Sequence, residues 1–416
     1  MVNYVTGATY LDQVGASGTP SAGTYGIYGG GTTWPGRRVR DVSNKIWLLD
    51  AQNTALTTLL RNIRKKRVTD PKYEWFEDEF NEQTTTGTAD DSTTTDTSIA
   101  VTHGSRGRPG DVWLNNDNDE LVYIDDVSSN TWTLVRGVGG TTAADWDADD
   151  KLFYIGNAQP TGSTARQPLT TVTVPQYNYC QIFKEDFEIA KTADATKLYG
   201  GPQRQYLRQK HGIQHTRDIE RAFWFGGRGQ VTSTQASTHM GTSGVGGGLV
   251  YLTGGVFEKI TTNTNTDTSG LTNMEFELIL EQYMRYGPST KFLFASPRAC
   301  TVIDKWGRDV IQTVPSDSTF GIAIKRYQSS HGNINIIQNK LFYDFANTSS
   351  DTRDYSHAAA LLDLEMLTYV YMRDTQLAMG IQENDRDSVE DQYLTECGLM
   401  MKQQRHHGEI FGFTYT

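Results

Sequence analysis

Two long stretches of this chain cannot bury a core of their own, and that limits what it can fold into more than any other feature. Residues 1–40 are rich in Gly, Ser, Thr and Tyr, include the run Tyr28-Gly29-Gly30-Gly31, and have almost no apolar periodicity. Ordering such a segment costs more conformational entropy than its few apolar contacts offset. It is either a disordered tail or an arm ordered only by neighbouring subunits. The second stretch begins after Pro71 and runs through residues 82–97, nearly all Thr, Asp, Gly and Ser, a linker or loop. Extended segments of this kind need partners.

Between and after these stretches the chain carries folding signals. Ser43 can cap a helix within 42–66 that bears Ile46, Leu49, Leu56, Leu59, Leu60 and Ile63 at helical spacing. The basic run Arg61, Arg64, Lys65, Lys66 and Arg67 is expected at its C-terminus, where cations suit the helix dipole. That run has two readings: helix termination with salt bridges to the acidic cluster Glu74, Glu77, Asp78 and Glu79, or contact with DNA phosphate. Short strands are expected at Asp111–Leu114, Glu120–Ile124, Thr131–Val135 and Leu152–Ile155, separated by polar turns. They form a small sheet or barrel at about 98–160. Extended chain with alternation at Val172, Val174 and Ile182 follows, then a long helix over 202–225 striped by Tyr206, Ile213, Ile219, Ala222 and Phe223. Gly212 should weaken its middle by about 1 kcal/mol, enough for a kink. Beyond it the pattern reads strand (249–252), helix (273–286), strand (291–295) and a helix begun by Ser296-Pro297. Strands are expected at 321–327, 333–338, 360–372 and 396–415.

No motif carries specific chemistry. His211 and His215 have a zinc-compatible spacing, but Gly212 stands where a metalloprotease has Glu, and no third ligand is evident. His406 and His407, adjacent in an expected strand, should face opposite ways. The acidic turns Asn115–Glu120 and Asp145–Asp150 lack the Gly and Glu of an EF-hand loop. The runs Gly137–Gly140 and Gly244–Gly248 are not followed by Lys-Ser/Thr, so they are turns and not phosphate loops. No metal, cofactor or catalytic residue is expected. Cys180, Cys300 and Cys397 are too few and too scattered for a disulfide framework, which fits synthesis in a reducing cytoplasm. A net charge of −11 argues against a chain whose main task is gripping nucleic acid. Met1-Val2-Asn3-Tyr4 opens without a secretory pattern, and no stretch approaches the roughly 20 apolar residues of a membrane span, so export or insertion is not expected.

The order of parts is the most specific signal: arm, short amphipathic helix, long β excursion, long helix, mixed α/β region, return to strands. Three stretches add to it: Asp41-Val42-Ser43-Asn44-Lys45-Ile46, Asp70 through Asp78, and Arg108-Pro109-Gly110-Asp111 through Arg136-Gly137. In this order the chain resembles the tailed-bacteriophage major capsid proteins of the Hong Kong 97-type fold, in a subfamily with a β-rich insertion. The resemblance implies an α+β fold. It implies an arm and short helix (1–70), an extended loop (71–185) lying on a neighbouring subunit, and a peripheral domain (186–228 and 370–416) with its spine helix at about 202–225. It also implies an axial domain (229–369) around capsomer axes. The chain would self-assemble into pentamers and hexamers of an icosahedral head. It would enclose double-stranded DNA without reading its sequence, with portal, scaffolding and decoration proteins as partners. Candidate inter-subunit contacts are Arg61, Arg64, Lys65, Arg67, Glu74, Trp75, Phe76, Glu77, Arg106, Arg108 and Arg136. The alternatives are a tail-tube or decoration protein and, less favoured by the long helix, a β-rich carbohydrate-active enzyme.

Overall fold

The computed structural model describes residues 54–88, 93–166, 168–196, 201–231, 249–266, 270–306, 324–345 and 353–414. Expectations for residues 1–53, including the arm and the Ser43 cap, and for Gly244–Gly248, lie outside them.

In chain order, α1 (Ala55–Ile63) leads to β1 (Lys65–Arg67) and β2 (Lys72–Glu77). Six strands follow: β3 (Thr84–Thr86), β4 (Ser98–Ala100), β5 (Asp111–Asn115), β6 (Glu120–Ser128), β7 (Thr131–Val135) and β8 (Lys151–Asn157). Then come β9 (Val174–Tyr179), β10 (Gln181–Ala190) and the long helix α2 (Gln203–Phe225). After β11 (Gly229–Val231), β12 (Val250–Leu252) and β13 (Thr264–Asn265) stand α3 (Asn273–Tyr283), β14 (Thr290–Ala295) and α4 (Pro297–Trp306). The chain ends through β15 (Ile324–Ser329), β16 (Gly332–Gln338), β17 (Ala359–Leu362), β18 (Leu367–Met379), β19 (Ser388–Met401) and β20 (Gly408–Ile410). Among the described residues no helix is long and apolar enough to cross a membrane.

The chain divides into two compact units, one of them Lys72–Asn178 and the other the residues on either side. The excursion leaves and returns at one point, because Cys180 N–H donates to Pro71 O at 2.8 Å. Residues 179–185, expected within the loop, instead belong to the larger unit, where Gln181 opens β10, which pairs along its length with β19.

In the larger unit a four-stranded sheet runs β1-β18-β19-β10, with β1 parallel to β18 and the other neighbours antiparallel. The helix ends at the basic run, as expected, with Arg61 in its last turn and Arg64 at its C-cap, and Lys65–Arg67 continue from it as an edge strand. α1 buries Leu56, Leu59 and Leu60 in a core shared with Ile219, Phe223 and Trp224 of α2 and Tyr369 and Leu399 of the sheet. α2 is unbroken at Gly212, where a kink was expected. A Cβ there would sit 3.3 Å from Tyr393 Oη, so this glycine lets β19 approach closely.

A six-stranded sheet, order β13-β20-β17-β14-β16-β15, is buried on both faces. That is why β14 reads as the unbroken apolar run Phe292-Leu293-Phe294-Ala295. Its side chains alternate: Phe294 joins the α1–α2 core, while Leu293 packs with Phe276 and Leu280 of α3 and Val302 and Ile303 of α4. A capping box closes the start of α3, with Thr272 and Glu275 exchanging hydrogen bonds. Ser296 Oγ accepts from Ala299 N–H at 3.0 Å, the N-cap expected for α4. The expected strand at 360–372 is two strands in different sheets. The C-terminal strands, all expected in the peripheral domain, divide likewise: β19 joins the sheet beside α2, whereas β20 pairs with β17 and β13.

The unit Lys72–Asn178 holds the insertion, a sheet of order β3-β8-β5-β6-β7-β4. Its two edges meet through the bridge Gly87↔Val101 and the bonds Thr88 N–H to Ala100 O and Thr102 N–H to Thr86 O, which closes it into a small barrel. Trp113, Trp132 and Trp146 fill the interior with Ile99, Val101, Val122, Ile124, Leu134 and Leu152. Gly107 is required there: a Cβ would lie 2.6 Å from Ile124 and 2.7 Å from Trp132.

Candidate assembly interface

The residues that first suggested metal chemistry are each engaged otherwise. His215 is buried and its Nε2 lies 2.7 Å from Thr395 Oγ1; His211 pairs with Glu185 at 2.7 Å and stacks on Phe187. His406 sits in a short turn with His407 following it, not in the expected strand, and both meet Asp363: His406 Nδ1 at 3.1 Å from its carboxylate, and His407 Nδ1 accepting from its N–H at 3.3 Å. Burial drives the His407 pKa down to about 3. The two acidic turns hold each other, with Asn115 donating to Asp150 at 2.8 Å and Asn118 donating to Asp145 O at 3.2 Å. Among the described residues no group of three His, Cys, Asp or Glu could hold a metal ion.

The basic run divides by environment. Arg61 lies over the Tyr369 ring, 5.3 Å from its centroid, and donates to Thr375. Lys65 forms an ion pair with Asp374 and lies 4.8 Å from the Tyr371 ring centroid. Its partner thus comes from β18, far along the chain, and not from the nearby acidic cluster that spacing suggested. Arg64, Lys66 and Arg67 are exposed and have no ion pair among the described residues.

Strand alternation decides the Glu74–Glu77 group. Tyr73 and Trp75 share the buried face of β2 and stack at 6.1 Å; Trp75 Nε1–H donates to Glu77 at 2.7 Å. Glu74, on the other face, pairs with Lys72. Phe76 is 74% exposed beside it. Sequence reading treated Trp75 and Phe76 alike, but only Phe76 is available to another molecule. It also missed Phe80 at 99%, Leu169 at 41% and Val172 at 81% exposed, although the alternation at Val172 and Val174 was the available signal. β2 pairs with β9; Phe80 follows β2 in the chain, and Leu169 and Val172 precede β9.

The insertion arginines are mostly spent inside it. Arg136 places its fork on Glu120, Nε to Oε1 at 2.8 Å and Nη2 to Oε2 at 2.7 Å, with only 6% of its side chain exposed. As a contact candidate it is therefore corrected: it is an internal support. Burial pushes the Glu120 pKa up, but hydrogen bonds from Arg136, Trp146, Gly137 and Ala144 outweigh burial and hold it low. Arg106 pairs with Glu82 and donates to Thr84 O at 2.7 Å. Arg108 lines a cavity of about 360 Å³ beside Trp113 and Tyr154.

A second set of buried charges ties the larger unit together and went unseen in sequence, since each has at least one partner more than 100 residues away along the chain. Glu220, fully buried, accepts from the N–H groups of Leu56 (3.0 Å) and Thr57 (2.7 Å) and from Trp224 Nε1 (2.9 Å). It caps α1, whose own Thr54 makes no side-chain cap. Asp391 accepts from Arg204 at 2.9 and 2.7 Å and from Arg208 at 3.0 Å. Lys291, also buried, gives its three protons to the carbonyls of Tyr283, Tyr286 and His406 at 2.7–2.8 Å.

No curated protein matches the chain significantly. Among solved structures it is similar to the capsid of a native GTA particle, at 8% identity and TM-score 0.49, over 90% of this chain and 95% of that one. It is also similar to a chain from Mycobacterium phage Ogopogo (9%, TM-score 0.47, 90% and 97%) and one from Microbacterium phage Oxtober96 (9%, TM-score 0.44, 90% and 96%). The family model described as SU10 major capsid protein matches residues 21–414, nearly the whole chain, and the chain therefore belongs to that family of structural capsid proteins.

Proposed function

We propose that this capsid protein closes its shell chiefly through the excursion, whose exposed apolar strip rests on a neighbouring copy. The observation that carries this is the exposure of Phe76 on the two-stranded ribbon β2–β9, and of Phe80 and Val172 in the segments that continue its strands. On this reading Lys72–Asn178 is the extended loop. The sheet beside α2 is the peripheral domain, and the six-stranded sheet with α3 and α4 is the axial domain that surrounds pentamer and hexamer axes. The shell encloses double-stranded DNA, is assembled in the host cytoplasm, and meets portal, scaffolding and decoration proteins. Its role is structural and not catalytic. The tail-tube alternative gives way because the matching family is that of a major capsid protein.

The test is electron microscopy of the expressed chain with Phe76→Ser plus Phe80→Ser. Wild type should give polyhedra or capsomers. The variant should lose most particles while the free subunit melts within about 2 °C of wild type, as expected for exposed positions. Undiminished particle yield would remove the strip from the interface.

A further inference from the structure

The sheet β1-β18-β19-β10 carries opposite charge at the two ends of β18. At one end β1 pairs with Tyr369–Tyr371 and presents the consecutive cations Arg64, Lys65, Lys66 and Arg67. Lys65 is taken by Asp374, but Arg64, Lys66 and Arg67 are exposed without an ion pair among the described residues. At the other end the β18–β19 hairpin closes through Glu383, Asp385, Arg386 and Asp387, all exposed. Arg386 is drawn to Glu188 and Glu390 at 3.6 and 3.5 Å, and Asp387 to Lys191 at 3.5 Å. Glu383 and Asp385 have no ion pair among the described residues.

These ends cannot neutralise each other within one chain. From Tyr371 to the hairpin the strand runs on to Met379, roughly 26 Å at ~3.3 Å per residue. Exposed charges are screened beyond about 8 Å at physiological ionic strength. A short lysine-rich edge strand also blocks unwanted strand pairing, which accounts for cations on β1 but not for the acidic tip opposite.

We propose that the hairpin tip of one copy, through Glu383 and Asp385, docks on the β1 edge of the next, against Arg64, Lys66 and Arg67. The contact is head-to-tail: two different patches of one chain meet, as rings and closed shells require. It rests on the assembly reading above and names, for the basic run, the acidic partner left unassigned there.

The test is a charge exchange in the full chain. Arg64→Glu with Arg67→Glu, and separately Glu383→Lys with Asp385→Lys, should each lower particle yield about tenfold, since a small loss per contact repeats around a shell. All four together should recover wild-type yield. Pairs that assemble normally, or a fourfold variant that stays defective while its subunit melts like wild type, would overturn the docking. Wild-type particles in the same preparation separate failure of this contact from failure of the assembly reading. An Arg67→Cys plus Asp385→Cys chain provides a readout independent of charge: oxidised particles should give a ladder of covalent multimers on a non-reducing gel, and monomer alone would overturn the proposal.

Discussion

Asp391 shows how much of this protein rests on single buried charges. Its carboxylate is 1% exposed and is held by two arginines of α2, whose hydrogen bonds lower its pKa to about 2 against the cost of burial. A lowered carboxylate pKa stabilises the fold above the unfolded value near 3.9 and is lost as pH falls toward the folded one. About 2–3 kcal/mol should therefore disappear between roughly pH 4 and 2. Asp391→Ala should remove a similar amount at pH 7, leaving two arginines without their acceptor, measurable by urea denaturation of the free subunit. Glu409 behaves oppositely. It is fully buried, neither carboxylate oxygen has a hydrogen-bond partner among the described residues, and Arg353 stands 3.6 Å away. Burial raises its pKa to about 7. The unfolded chain releases this proton near pH 4.3 and the folded chain does not, so stability falls as pH rises from about 4 to 7. Glu409→Gln should gain about 1–3 kcal/mol at pH 8 and little at pH 4; equal effects at both would contradict a buried charge as the cause.

Elements were legible where their pattern was local. The four strands expected in the insertion are β5 to β8, and the helix expected at 202–225 is α2, Gln203–Phe225. Both signals are short-range: alternation between polar turns, and an apolar stripe of helical period. β3 and β4 went unread because three residues of Thr or Ser-Ile-Ala carry no period, yet these two close the barrel. Their closure gives the insertion its own core, and a core packed that tightly should resist added volume. Gly107→Ala should cost the insertion about 1–3 kcal/mol, since Trp132 and Ile124 must move. Limited proteolysis should then cut first within Lys72–Asn178, with α2 and its sheets protected; equal protection of both units would show that the barrel relaxes freely.

For the whole molecule the informative surfaces are the incomplete ones. A chain that leaves Phe76, Phe80 and Val172 exposed, and ends one sheet in opposite charges, is less stable alone than in company. Anything that binds only the folded state stabilises it by mass action. Assembled particles should therefore melt well above dissociated subunits in a calorimeter. The gap should narrow with Phe76→Ser plus Phe80→Ser and, at low salt, with the charge reversals on β1. Identical melting of particles and subunits would mean that the contacts contribute nothing to folding.

Family, fold class and most of the succession of helices and strands were readable from residue order, because they depend on short patterns and on their sequence along the chain. The folded structure alone separated Trp75 from Phe76, one residue apart, by placing them on opposite faces of β2. It turned Arg136 inward to Glu120 and gave Lys65 to Asp374. It also set Glu220 on the N-terminus of α1 across 163 positions. No local pattern encodes such choices: they are made when distant segments meet, and burial and charge then depend on what each side chain finds there. The two stretches expected to bury no core of their own differ for this reason. The excursion folded its insertion around three tryptophans and left Phe76, Phe80 and Val172 exposed, whereas residues 1–40 lie outside the described structure.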